Sequence, residues 1–188
     1  MRGIVMTEES IRELKKVFAI KWIIYLMLTT SIFFYFLITV ILKKTGFAFV
    51  EDFKFIRILA NLFIGFSAVA LFAAFFIRRN VYNPDKFFEM IGDKKINDEL
   101  VEKFTSRMKD ESVKRISKLI LMSNTIDVIS WALCEAVAIL GLVLVFLSGN
   151  TFYLQAFGGA ALLSMAFLRP NFTNFLSVVE HALGRPGA

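Results

Sequence analysis

Apolar residues in this chain fall into four long runs separated by charged stretches, and the length of each run limits what it can be. A helix rises about 1.5 Å per residue, so crossing a hydrocarbon core about 30 Å thick takes roughly 20 residues. Residues 17–42, 55–77 and 126–148 reach that length, and 152–168 lies at its low end. The pattern predicts an all-α membrane protein with four transmembrane helices. Lys21, near the entrance of the first run, is expected to extend its long side chain to the headgroups. In the second run Ala60, Ile64, Ala68 and Phe72 make one stripe and Gly65, Val69 and Ala73 another. In the fourth, Ala156, Ala160 and Ser164 align, with Gly158, Gly159 and Ala161 beside them; this is the smoothest helix surface and the expected packing face.

The polar stretches carry their own helix signals. TEESIRELKK at 7–16 offers Thr7 or Ser10 as N-cap, acids in the first turn and lysines two turns later, so a helix starts there and runs on into the first span. Residues 80–124 predict a cytoplasmic amphipathic helical segment between spans two and three. Asn83 and Pro84 start one helix and Gly92 stops it, and Asn97 or Asp98 caps a second, in which Leu100, Phe104 and Met108 recur every four residues. A third series, Val113, Ile116, Leu119 and Ile120, joins the third span without a break, because 112–140 contains neither Pro nor Gly. The organisation is therefore 1–79 with the N-terminal helix and two spans, 80–124 as the cytoplasmic segment, 125–168 with two further spans, and 169–188 as a tail.

Composition agrees with the pattern. Hydrophobic residues make up 57% of 188, with 22 Phe, which exceeds what a small soluble domain could cover. The net charge of +6 does not point to nucleic acid, because the basic residues flank the apolar runs. Of 22 Lys and Arg, 18 fall on one side of a four-span arrangement and 4 (Lys43, Lys44, Lys54 and Arg57) on the other. The positive-inside rule then predicts an inner-membrane protein with both termini and the 80–124 segment in the cytoplasm. Arg78, Arg79, Lys94, Lys95, Arg107, Lys114 and Arg115 form the basic surface expected to face anionic membrane lipid. A cleavable signal peptide does not fit the first run, which is too long and lacks a small-residue cleavage site before Lys43.

Chemistry is sparse. One Cys, Cys134, cannot form a disulfide within the chain, and one His, His181, beside Glu180, reads as solvated. The Asn171, Phe172, Thr173 triplet matches a glycosylation acceptor by chance. Neither a phosphate loop nor a metal-ligand spacing nor a nucleophile and base pair is present, so no enzyme activity, no metal and no cofactor are expected. The chain also lacks the Pro-interrupted spans and internal repeats of secondary transporters. What asks for explanation is Glu135, inside an apolar run, where a charge costs roughly 2.5 to 3.5 kcal/mol on insertion scales. Asp127 lies two turns earlier, on roughly the same face and about 12 Å away by helix rise, as a polar entry to Glu135 or as an ordinary interfacial Asp. Ser164 and Tyr25 are candidate hydroxyl partners for the carboxyl group.

Residues 133–147, LCEAVAILGLVLVFL, resemble the carboxylate-bearing helix of the rotary ATPase proteolipid or c subunits, in which a Glu precedes small and aliphatic residues. The resemblance implies that Glu135 matches that family's ion-carrying carboxylate and that the chain assembles into a ring. The family places its Gly-rich helix before the carboxylate helix, whereas here the Gly and Ala surface follows it. Two expectations result. In one, a homo-oligomer binds a proton or cation at Glu135, with Asp127 and Ser164 contributing, and assists its passage. In the other, a scaffold protein uses Glu135 to fix helix register and carries nothing.

Overall fold

The computed structural model describes residues 8–45, 53–82 and 111–183. About 94% of these residues are helical and none is in a strand, so the protein is all-α. Five helices follow in order: α1 (Glu8–Thr45), α2 (Phe53–Val81), α3 (Glu111–Ser148), α4 (Phe152–Phe167) and α5 (Phe172–Leu183). Three contain a stretch long and apolar enough to cross a membrane, and α4 with α5 makes a fourth if that bent pair is one span. The expected helices and caps within 83–110, with Lys94, Lys95 and Arg107, lie outside the described residues.

The N-terminal helix does run into the first span. α1 begins at Glu8 with two acids in its first turn and ends with Lys43 and Lys44 in its last, both signs suiting the helix dipole. Ser10 is inside this helix and does not cap it. At 38 residues α1 and α3 are each about 57 Å long, well beyond a hydrocarbon core. Lys114 and Arg115 fall in the first two turns of α3.

The chain divides into two compact units. Unit 2 holds Ile24–Phe76 and Ile129–Arg169. Its helical stretches are about as long as a bilayer core is thick, and its exposed side chains are largely apolar, among them Leu26, Phe33, Leu62, Phe66, Phe72 and Leu163. Within it α3 and α4 are joined by residues 149–151. Gly149 adopts φ 69° and its N–H donates to Val145 O at 2.8 Å, a left-handed helix stop that suits glycine. The two helices approach closely: a Cβ on Gly141 would lie 2.7 Å from Phe157 Cβ. The small-residue face of α4 is partly taken up by the chain itself, since Gly158 packs under the Phe36 ring and Ala161 and Ser164 are buried. Ala156 is exposed, Gly159 and Ala160 are half-buried, and a Cβ on Gly159 would meet no neighbour.

Unit 1 holds Met1–Ile23, Ile77–Val128 and Pro170–Ala188. Its core is apolar and comes from three helices: Leu14 and Phe18 of α1, Ile116, Leu119 and Ile120 of α3, and Phe175, Val178 and Val179 of α5. Asn171 starts α5 by accepting the Asn174 N–H on its side chain at 3.1 Å, so this residue of the glycosylation triplet is a helix cap.

Candidate functional site

Glu135 lies on α3 within unit 2, and two hydroxyls of α1 reach it. Tyr35 donates its O–H to Oε1 at 2.8 Å, and Ser31 Oγ is hydrogen-bonded to the same oxygen. Ser31, Tyr35 and Thr39 are spaced by four and so share one face of α1. That spacing was the signal available in the sequence. Ser164 and Tyr25 are not the partners. Tyr25 donates instead to the Met165 carbonyl at 3.2 Å and stacks edge-on against Trp131, while Ser164, buried on α4, accepts the Leu168 N–H on its own carbonyl. Trp131 fixes the same helix end by donating Nε1–H to Leu168 O at 2.8 Å.

Counting protons shows what the Glu135 pair can do. Ser31 Oγ is also 2.7 Å from the Leu28 carbonyl, and a serine hydroxyl has a single proton to give. If that proton points at a carboxylate Oε1, Glu135 is anionic and receives two O–H bonds. If it points at Leu28 O, the contact between Ser31 and Glu135 is a hydrogen bond only with a proton on Oε1, donated to Ser31 Oγ. Both states are satisfied by rotating one hydroxyl, without moving a helix. Glu135 is half-buried, so the carboxyl group is neither sealed in nor fully exposed.

Asp127 belongs to a different cluster, in unit 1, and it is fully buried. Lys21 is fully buried as well and turns inward to meet it, contrary to the expectation of a side chain reaching for headgroups. The reason lies in the surroundings. The Lys21 ammonium has three protons and three acceptors: Asp127 Oδ2 at 2.7 Å, Ser123 Oγ at 2.6 Å and Tyr82 Oη at 3.4 Å. Its remaining sides face aromatic rings, with Phe175 at 5.3 Å and Phe18 at 5.5 Å from the ammonium. Tyr82 donates its own O–H to Asp127 Oδ2 at 2.7 Å, and Arg78 Nε stands 3.8 Å from Oδ1. Burial, then the adjacent Asp127 charge, push the Tyr82 phenol well above its ordinary pKa, so it stays an O–H donor.

The remaining sequence candidates scatter. Arg79 is exposed at the end of α2, and among the described residues no group of three His, Cys, Asp or Glu side chains could hold a metal. Cys134 is buried as a free thiol. Comparison with protein-family models, with curated proteins and with solved structures gives no match.

Proposed function

We propose that this is a multi-pass membrane protein that takes up and releases a proton at Glu135, in a self-associated assembly, and thereby assists proton passage. The observation that carries the reading is the Ser31 hydroxyl, placed to serve Glu135 with or without a proton. Partial exposure of the carboxyl group supports exchange with its surroundings. The distribution of 22 Lys and Arg supports an inner-membrane location with cytoplasmic termini. The open side of α4 around Ala156 and Gly159 supports contact with further copies, which the mass of the detergent-solubilised protein tests.

The experiment is carbodiimide labelling, which needs a protonated carboxyl group. Glu135 is labelled at low pH, labelling falls as pH rises, and Glu135→Gln removes it. Absence of labelling at every pH overturns the proposal. A scaffold role is the second reading, favoured by hydrogen bonds that join residues 100 and 104 positions apart in sequence. Under it, Glu135→Gln leaves assembly intact and proton flux into liposomes equals that of protein-free vesicles for both forms.

A further inference from the structure

We infer that Tyr82 and Arg78 form a polar latch that holds the C-terminal end of α2 in unit 1, and that α2 is the helix built to shift when it opens. The apolar core of unit 1 comes from α1, α3 and α5, and α2 enters this unit through its last turn and Tyr82. There Tyr82 bonds Asp127 and packs at the edge of the core, while Arg78 faces Asp127 Oδ1 and lies 5.4 Å from the Tyr82 ring centre. Elsewhere α2 is held by little. In unit 2 its buried side chains are Ile56, Ala60, Ser67 and Ala74, one narrow seam in which three of the four are small. A seam of this kind allows close approach but contributes little apolar area, so the polar contacts at the end weigh heavily in fixing the helix.

The second half of the argument is what opening leaves behind. A buried carboxylate stripped of partners is costly, and such a contact would not serve as a latch. Asp127 is not stripped: Lys21 holds the same Oδ2 at 2.7 Å from α1, independently of α2. When Tyr82 departs, the Lys21 ammonium loses its longest bond, at 3.4 Å, and keeps the two shorter ones. Lys21 and Asp127 thus form a permanent pair, with Tyr82 and Arg78 as the removable part. The chain leads from Tyr82 directly into the charged 83–110 segment, so a pull on that segment reaches the latch first.

The test places spin labels on the full-length protein at Lys16→Cys and Arg79→Cys, both exposed and both in unit 1. A control pair uses Lys16→Cys with Ser177→Cys on α5. The parent gives one narrow distance for each pair. In Tyr82→Phe and in Tyr82→Phe/Arg78→Gln a second, longer distance appears for the α1 to α2 pair, its population rising about tenfold for loss of a hydrogen bond to a charged group. The control distance stays narrow and the buried Cys134 stays unlabelled. An unchanged α1 to α2 distance overturns the latch. Equal broadening of both pairs, or labelling of Cys134, also overturns it, because the substitution has then loosened the whole unit rather than released α2.

Discussion

Removing the charge of Asp127 should cost more than removing that of Lys21, although the two are partners. Breaking a buried pair from one side leaves an uncompensated charge and costs about 3 to 5 kcal/mol. The two sides are unequal here. Asp127→Asn leaves Lys21 and Arg78 facing each other across a neutral amide, with Lys21 fully buried, and belongs at the upper end of that range. Lys21→Met leaves a carboxylate that still accepts Tyr82 at 2.7 Å and has the Arg78 guanidinium 3.8 Å away, close enough to move in. It belongs at the lower end, about 3 kcal/mol. Lys21→Met/Asp127→Leu, which removes both charges together, should recover most of the loss, since apolar replacement of a whole buried pair is often neutral or better. In a chain of this size one kcal/mol moves the midpoint by about 2 to 4 °C, so Asp127→Asn should melt roughly 10 to 20 °C below the parent and Lys21→Met roughly 6 to 12 °C below it. Loss of helical circular dichroism in detergent measures all four proteins. The reasoning is refuted if Lys21→Met is the worse single variant, or if Asp127→Asn melts within about 2 °C of the parent.

Four further outcomes follow. Ser31→Ala and Tyr35→Phe each remove one hydroxyl bond from Glu135 and should lower stability by about 1 kcal/mol, read as a midpoint shift of a few degrees. Gly141→Ala drives a Cβ to 2.7 Å from Phe157 Cβ and should cost about 1 to 3 kcal/mol, whereas Gly65→Ala and Gly159→Ala meet open space and should stay within about 1 kcal/mol of the parent in the same melt. In an alkaline titration followed by near-ultraviolet absorbance, one tyrosine should ionise well above the others, and Tyr82→Phe should remove that late step. Because the folded pKa of Tyr82 is raised above an unfolded value of about 10, its contribution to stability is intact below pH ~10 and declines as pH rises beyond it.

Run length and helix signals made the spans legible in the sequence, because both are local properties. The α1 start, the Lys43 and Lys44 end and the unbroken path from 116 into the third span needed no information from distant residues. Glu135 and Asp127 stood out for the same reason, each a carboxylate in or beside an apolar run. Their partners did not. Snorkelling is the right default for a lone lysine near a membrane boundary, but Lys21 has a carboxylate 106 residues away that no local rule reveals. Ser31 and Tyr35 lay inside a run rich in Phe, where hydroxyls read as tolerated polarity, and only their four-residue spacing with Thr39 marked a polar face. The small-residue surface of α4 was visible as a surface, yet half of it turned out to receive the protein's own Phe36.

The distance in sequence between Lys21 and Asp127 also sets an order of events during synthesis. A ribosome adds about 5 to 20 residues per second, so the first helix waits about 5 to 20 s for the carboxylate that will neutralise its lysine. During that interval the ammonium must be kept in water or among phosphates, at the rim of the insertion machinery. Only when the third helix arrives can the nascent chain draw the lysine inward, so the pairing marks the point at which a thread of separate helices becomes one folded protein.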